Sequence, residues 1–270
     1  MPTPVPNSLP SPVYVLSDAH LGVTTEEQER LLWGFLDALA ARAAAPGAVE
    51  SVGGVVLNGD LFEFWFEWRH VVPAIGVRLL SALARLTERG VPVIWIKGNH
   101  DCWGGDVLTS QSGAAYIDGP WDGTLAGWKA RVAHGDGLRP ELDRGYRALR
   151  AVIRHPWAIR AFRWLHPDWG AALARATSHT SRNVRPRDGG EGLRAVAHQT
   201  LRSDETLDVV VYGHTHVAML ERLSTEHGVY ANPGAWLNEP TFLKFTTDRV
   251  ALCRWDGEHE REDVALERGQ

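Results

Sequence analysis

Short apolar runs that end in turn-forming residues recur along the chain and predict strands. They lack the strict alternation of a half-exposed strand, and a continuous apolar run is typical of a strand that is covered on both faces. Five such runs occupy residues 13–20, 53–60, 91–101, 129–136 and 207–216. Two later runs, within 227–236 and 243–255, predict closing antiparallel strands.

Helical periodicity separates the first of these runs. Residues 25–43 open with acidic side chains and then carry apolar positions at helical spacing, and residues 71–89 show similar spacing. Strands that alternate with helices indicate an α/β fold, and the late antiparallel strands would make its sheet mixed.

The segment 137–205 breaks this rhythm because it contains no strand pattern. It is predicted to form helices within 141–155, 156–166 and 167–181, and Pro156 and Pro167 stand where prolines favour the first turn of a helix. The predicted organisation is a flexible, proline-rich lead-in at 1–12, a core of 13–136 and 206–262, and a helical cap inserted at 137–205.

Composition narrows the classes of protein. A net charge of −5 argues against a general binder of polyanions. Cys102 and Cys253 cannot build a disulfide framework, which suits a reducing compartment. No stretch approaches the roughly 20 apolar residues of a membrane-spanning helix, and the first residues lack the pattern of a signal peptide. We expect a cytoplasmic, soluble protein.

The inserted segment is basic although the whole chain is acidic, and several of the twelve tryptophans lie between residues 121 and 169. Such a charge run is either a solvated face or, given its place between two polar strand ends, a cap over a pocket. Tryptophan suits surfaces that are partly apolar and partly polar, although packing is its commoner role. The arginines are Arg139, Arg144, Arg147, Arg150, Arg154, Arg160, Arg163, Arg175, Arg182, Arg185 and Arg187.

Each of the five apolar runs ends in Asp, Asn or His. Ligands of α/β sheets bind in the crevice outside the carboxyl ends of the strands, so these side chains are expected to meet. Residues two apart lie on the same side of an extended backbone, which lets both reach one centre. The candidate ligands are Asp18, His20, Asp60, Asn99, His134, His214 and His216.

Seven candidate ligands are too many for one tetrahedral ion and fit a site for two metals. Imidazole together with carboxylate favours Mn, Fe or Zn over Mg or Ca, which prefer oxygen ligands throughout. We expect two divalent ions, with manganese as the first choice and iron or zinc as alternatives. His100 and Asp101, which follow Asn99, are expected to be a catalytic residue and a partner that supports the ligands.

The motifs SDAHLG, GDLFEFW, GNHD, HGD and GHTH, in this order, resemble those of the calcineurin-like metallophosphoesterases. The resemblance covers residue 13 to about 240 and implies a four-layer α/β/β/α sandwich. It implies one metal held by Asp18, His20, Asp60 and His216, and a second held by Asp60, Asn99, His134 and His214, with Asp60 bridging. His100 would contact the phosphoryl oxygen or protonate the departing group.

GDLFEFW and the cap with its YRALR stretch look most similar to the UDP-2,3-diacylglucosamine diphosphatases of lipid A synthesis. That resemblance implies a lipid-linked nucleotide that is split at its pyrophosphate into UMP and a lipid phosphate. A separate interpretation makes the cap an element that binds a partner or a membrane surface, since amphipathic helices with Arg and Trp can lie on anionic lipid. It is compatible with a lipid substrate and would place the protein on the inner membrane surface. The best-known members of that group carry Arg at the position of His100. The cap residues predicted to contact substrate are Arg139, Tyr146, Arg147 and Arg150.

Other functions of the same fold stay open at this point. The same site would serve a phosphomonoesterase, a nucleotide phosphodiesterase or a nuclease, although the long cap argues against an open nucleic-acid groove. A non-catalytic scaffold would be expected to lack a ligand or His100, and this chain has them all.

Overall fold

The computed structural model describes residues 3–44, 51–182, 188–223 and 228–268. Strands β1 to β13 are Ser8–Leu9, Val13–Leu16, Gly54–Asn58, Val93–Ile96, Ala115–Ile117, Trp121–Leu125, Trp128–Ala133, Val209–Tyr212, Met219–Arg222, Val229–Asn232, Thr241–Phe245, Arg249–Trp255 and Glu260–Glu267. Helices α1 to α7 are Glu26–Ala44, Val77–Thr87, Asp106–Ser112, Arg144–Ile153, Pro156–Phe162, Pro167–Arg182 and Glu191–Ser203.

The strands form two mixed sheets. The seven-stranded sheet has the order β13-β12-β11-β2-β3-β4-β5, in which β2 to β5 run parallel and β11 to β13 are antiparallel. The six-stranded sheet has the order β1-β6-β7-β8-β10-β9. Within it β7, β8 and β10 run parallel to one another, whereas β10 and β9 are antiparallel. The predicted antiparallel pairing of β10 therefore holds for one of its two neighbours.

Three apolar layers hold the sheets and helices together. Between the sheets, Val15 and Val56 pack with Val132 in one fully buried cluster. Helices α1 and α2 cover the outer face of the seven-stranded sheet, and α7 covers the outer face of the six-stranded sheet. The strands β2, β3, β4, β8 and β10 are buried throughout, which explains their continuous apolar runs, and the predicted four-layer α/β/β/α sandwich is confirmed.

Helices α4, α5 and α6, called the cap helices below, follow β7. Pro156 and Pro167 are the first residues of α5 and α6, as predicted. The cap helices rest on an aromatic loop after β3: the ring centroid of Phe162 lies 4.8 Å from that of Phe66, and Phe162 also contacts Phe64 and Trp68. No residue of α4 is buried.

Three predicted boundaries are wrong. Residues 1–12 were expected to be a flexible lead-in, yet Ser8–Leu9 pairs with β6 and Leu9 is fully buried between the sheets. Helix α7 was assigned to the cap, yet it packs on the six-stranded sheet through Leu193 and Leu201. The core was ended at residue 262, which falls inside β13. In the part of the chain that is described, no helix has the length and apolar character needed to cross a bilayer.

Candidate metal centre

The polar strand ends of both sheets meet at one edge of the sandwich. The ligand atoms of each of two sets of three side chains lie within 4.8 Å of one another. The first set is Asp18, His20 and His216, and the second is Asp60, His134 and His214. Asn99, the seventh predicted ligand, precedes His100, whose backbone N–H donates to Asp60 Oδ1 at 2.8 Å.

The backbone at this edge is strained. Left-handed φ angles are disfavoured for residues with a side chain and persist where the surrounding structure enforces them, often at functional sites. Among the described non-glycine residues, Ala126 is the only one with positive φ outside the two sets. Within the sets the residues and angles are Asp18 (54°), His20 (46°), Asp60 (53°), His214 (63°) and His216 (59°).

Asp18 is completely buried and ionised. Its Oδ2 accepts a hydrogen bond from the His214 backbone N–H at 3.1 Å. Its Oδ1 lies 3.2 Å from His216 Nε2 and 3.9 Å from His20 Nε2. Burial would raise the pKa of Asp18, but the charges of His216 and His134 outweigh it and hold the pKa at about 2. One oxygen is therefore fixed by the backbone while the other faces two imidazoles.

Asp60 belongs to the second set and also lies near the first. Its Oδ2 is 3.1 Å from His134 Nε2 in one set and 4.0 Å from His20 Nε2 in the other. Burial acts to raise the pKa of Asp60, yet the charges of His134 and His100 hold it well below its ordinary value. Asp60 Oδ2 thus lies near a histidine of each set, and the resemblance assigned a bridging role to Asp60.

Hydrogen bonds behind the histidines orient their rings. His20 Nδ1 lies 3.0 Å from Glu63 Oε2, and His134 Nδ1 lies 2.8 Å from the carbonyl oxygen of Asn58. The Asn58 carbonyl oxygen can only accept a hydrogen bond, and the same holds for Glu63 Oε2 when that carboxyl is ionised. Nδ1 of His20 and of His134 therefore donates, and Nε2 of each ring faces the metal centre. His20 Nε2 is 3.2 Å from His216 Nε2, and two ring nitrogens this close need a cation or a proton between them.

The donor atoms fit divalent metal ions. Within the described chain, Asp18 Oδ1, Asn99 Oδ1 and His134 Nε2 are buried without a hydrogen-bond partner, because the 3.1 Å contact of His134 with Asp60 lacks hydrogen-bond geometry. A buried polar atom without a partner costs about 1–3 kcal/mol, which a shared cation would remove. Mixed imidazole, carboxylate and amide donors suit Mn, Fe or Zn.

His100 is held beside the first set. Its Nδ1 lies 3.0 Å from the backbone carbonyl oxygen of Glu63, and its ring centroid lies 4.9 Å from that of His20. Glu63 thus contacts two site histidines, one through its side chain and one through its backbone. It belongs to the GDLFEFW motif, which was the available signal for it, but it was not predicted as a site residue.

Asp101 ties two site loops together. Its carboxylate accepts hydrogen bonds from the backbone N–H groups of Gly98 and Leu61, at 2.8 and 2.9 Å, and from Trp95 Nε1 at 3.3 Å. Burial, and then the charge of Asp60, raise the pKa of Asp101 to about 6. These contacts agree with the expected role of a supporting partner.

Two of the four predicted substrate contacts lie within the cap. Arg139 donates to Asp143 Oδ1 at 2.7 Å, and Arg147 donates to the carbonyl oxygen of Pro140 at 2.6 Å. These hydrogen bonds direct the side chains of Arg139 and Arg147 to Asp143 and Pro140, and not to the two ligand sets.

The other two reach the edge of the centre through Asp136. Tyr146 Oη donates to Asp136 Oδ2 at 2.6 Å, and Arg150 Nη1 lies 3.2 Å from the same oxygen. A cleft of about 240 Å³ opens beside them, and its walls include His134 and Lys97. Arg154, which was not predicted as a site residue, lies near the same carboxylate, with its Nη2 3.5 Å from Asp136 Oδ2.

Comparison with known proteins agrees with this description. The family model of calcineurin-like phosphoesterases matches residues 11–218. A UDP-2,3-diacylglucosamine hydrolase of Porphyromonas gingivalis is 34% identical over 176 residues, which are 64% of this chain and 64% of that protein, so the chain spans less than two thirds of it. One from Neisseria meningitidis serogroup C is 28% identical over 92% of this chain and 95% of that protein.

A solved structure of vacuolar protein sorting 29 from Cryptosporidium parvum matches 97% of this chain and 100% of its own, with a TM-score of 0.48 and 14% identity. The family match covers well over half of the chain and includes every strand that precedes a candidate ligand. The family implies bound divalent metal ions. The chain is therefore a phosphoester hydrolase that belongs to the calcineurin-like phosphoesterase family.

Proposed function

We propose that the chain hydrolyses the pyrophosphate of a UDP-diacylglucosamine-type lipid to UMP and a lipid phosphate. The observation that carries the proposal is the position of an amphipathic, arginine-rich cap directly beside the candidate metal centre, joined to it through Asp136. Two relatives with this activity in their names align with the chain, one of them over 92% of its length.

The cap helices present the two chemistries that such a substrate needs. Large apolar side chains are exposed on these helices and on the turn between α5 and α6; they include Leu149, Trp157, Trp164 and Trp169. Exposed apolar patches on a soluble domain commonly mark binding sites, here suited to acyl chains. Arginine pairs well with phosphate because its guanidinium can donate two parallel hydrogen bonds. The proposed substrate contacts are Arg139, Tyr146, Arg147 and Arg150.

The reaction we propose is attack of water on one phosphorus of the pyrophosphate. Its bond to the bridging oxygen breaks, and the other phosphoryl group leaves with that oxygen as a phosphate monoester. Two divalent ions, manganese first and iron or zinc as alternatives, would lower the pKa of that water and neutralise phosphoryl charge when bound. His100 would donate a hydrogen bond to the phosphoryl or leaving oxygen. The residues proposed to hold the ions are Asp18, His20, Asp60 and His216 for one, and Asp60, Asn99, His134 and His214 for the other.

A substrate panel tests the proposal. With manganese present, kcat/KM would be compared for synthetic UDP-2,3-diacylglucosamine, UDP-N-acetylglucosamine, p-nitrophenyl phosphate, a cyclic nucleotide and single-stranded DNA. We expect the acylated UDP-sugar to be preferred and to give UMP and lipid phosphate in equal amounts. The unacylated UDP-sugar is the matched control, since it offers the cap no acyl chain. A higher kcat/KM for any other substrate would assign the chain to another activity of the family.

We also propose that the cap touches a membrane surface, where such a lipid would be met. Trp157, Trp164 and Trp169 are 61%, 88% and 72% exposed, and tryptophan favours the boundary between apolar and polar layers. Replacing all three with Ser should reduce co-sedimentation with vesicles of anionic lipid while hydrolysis of p-nitrophenyl phosphate is retained. Equal co-sedimentation of the variant and the parent chain would remove this part of the proposal.

A further inference from the structure

Asp136 contacts three residues on one face of α4 and its C-terminal end. It lies two residues after His134 and is buried. Its Oδ2 receives Tyr146 Oη at 2.6 Å, and it lies 3.2 Å from Arg150 Nη1 and 3.5 Å from Arg154 Nη2. These three residues are spaced four apart on α4 and its C-terminal end, so they share a side of the helix. One carboxylate therefore holds α4 against the end of β7.

Arg154 extends this network to a second strand end. Its Nη2 donates to the carbonyl oxygen of Gly98 at 3.1 Å, and its Nη1 donates to Asp118 Oδ1 at 2.8 Å. The side chain is only 15% exposed. Gly98 directly precedes Asn99 and His100, so this guanidinium links the end of the β7 strand to the loop that carries a proposed ligand and the proposed catalytic histidine.

The Gly98 loop has no room to shift toward the metal centre. A Cβ placed on Gly98 would overlap the carboxylate of Asp60, so the loop backbone already packs directly against that side chain. The carbonyl oxygen of Gly98 in turn accepts the hydrogen bond from Arg154. A displacement of about 1 Å at a catalytic group can cost about 10²-fold in rate, so a contact that fixes this loop bears on turnover.

We propose that Asp136 and Arg154 are positioning residues that fix the Gly98–His100 loop relative to His134, and thereby place His100 against the phosphoryl group. The inference rests on the proposed site but not on the lipid substrate. Tyr146 and Arg150 contact Asp136 without a bond to the loop, whereas Arg154 contacts both. Arg154 is thus the residue through which the cap acts on the loop.

The test uses bis(p-nitrophenyl) phosphate, which has neither acyl chains nor a nucleoside for the cap to bind. In the manganese-loaded full chain, Arg154→Met should lower kcat by about 10- to 100-fold with KM little changed. Bound manganese per chain should stay at the parent value. Arg154→Lys should recover part of kcat, because its amine can still donate to one carbonyl. Arg144→Met, the same change at an exposed position of α4, should keep the parent kcat.

A double-mutant cycle separates positioning from simple destabilisation. Asp136→Asn should lower kcat in the same direction, and the double variant Asp136→Asn/Arg154→Met should cost less than the product of the two single losses, since both act through one network. A kcat for Arg154→Met within about twofold of the parent chain would overturn the inference, as would a loss of activity that matches a loss of bound manganese. Failure of the lipid proposal would appear only in the substrate panel, because the small diester reports hydrolysis alone.

Discussion

Two histidines of the candidate centre have pKa values that their neighbours shift in opposite directions. Burial lowers the pKa of His134, but the charges of Asp60 and Asp18 overcome it and raise the pKa well above its ordinary value. Burial, together with the charge of His134, lowers the pKa of His214 to about 4. The two histidines of one set thus have pKa values shifted in opposite directions, and a metal ion needs both as neutral ligands.

The shift at His214 predicts a pH dependence of stability in the metal-free protein. As pH falls below about 6.5, the unfolded chain binds a proton at His214, whereas the folded chain does so only near pH 4. The free energy of unfolding should therefore fall as pH falls through this window. Urea unfolding in EDTA at pH 7, 5.5 and 4.5 should show a shallower decline for His214→Gln than for the parent chain. Parallel declines would contradict the assigned environment.

His100 is predicted to serve turnover rather than metal binding. Its Nδ1 lies 3.0 Å from the Glu63 carbonyl oxygen, a contact that orients the ring beside the first set. His100→Ala should retain the bound manganese of the parent chain and lose about 10²- to 10⁴-fold in kcat, as expected for removal of a general acid. Metal content by mass spectrometry and kcat would be measured on the same sample. A variant that binds less metal would make His100 a ligand instead.

The residues of the centre differ in how far the sequence could predict them. Asp18 and His214 could be found because each follows an apolar run, and strand ends meet at a known edge. Asp136 and Arg154 could not be assigned a role, since their importance lies in bonds to residues distant in the chain, such as Gly98. Only the fold brings those partners together.

At the scale of elements, the loop after β3 joins the core to the cap. Its aromatic residues divide between two environments: Phe62 and Trp65 stack with centroids 4.7 Å apart inside the core, while Phe64 and Phe66 face the cap helices. Phe162 of α5 packs on that second pair. The loop that carries Asp60 is therefore also the surface on which the cap helices pack.

Weakening this packing should let the cap helices separate from the loop after β3 while the two sheets stay folded. Phe162→Ala removes a ring that contacts Phe64, Phe66 and Trp68, so α5 and α6 lose most of their aromatic packing on the core. Limited proteolysis should cleave within the cap several-fold faster, while protection of β2 to β4 is kept. Leu149→Ala, at an exposed cap position, is the control and should leave the cleavage rate unchanged. Equal rates for both variants would contradict this packing.

Element identity could be predicted wherever patterns were long or fully apolar, and not elsewhere. Strands β6 and β9 escaped prediction because WDGTL and MLER are short and partly polar. Without β9, the parallel pairing of β10 with β8 was not visible either. Helix α7 was placed in the cap because its periodicity does not say which surface its apolar face covers.

The whole molecule combines a rigid sandwich with a separate basic cap, and its function follows from where the two meet. The sandwich brings five strand ends to one edge and gathers six of the seven candidate ligands there into two sets. The cap, which adds arginines to a chain of net charge −5, lies beside that edge. Positive charge and exposed apolar surface are thus supplied by a different part of the chain from the one that would hold the metals.

We propose that these strand ends bind two metal ions bridged by Asp60. Anomalous diffraction from crystals of the full chain soaked in manganese would locate both ions. We predict two peaks about 3.5–4 Å apart, both within bonding distance of the Asp60 carboxylate, and fewer than two in Asp60→Asn. A single peak in the parent chain, or two peaks that do not share Asp60, would contradict the account.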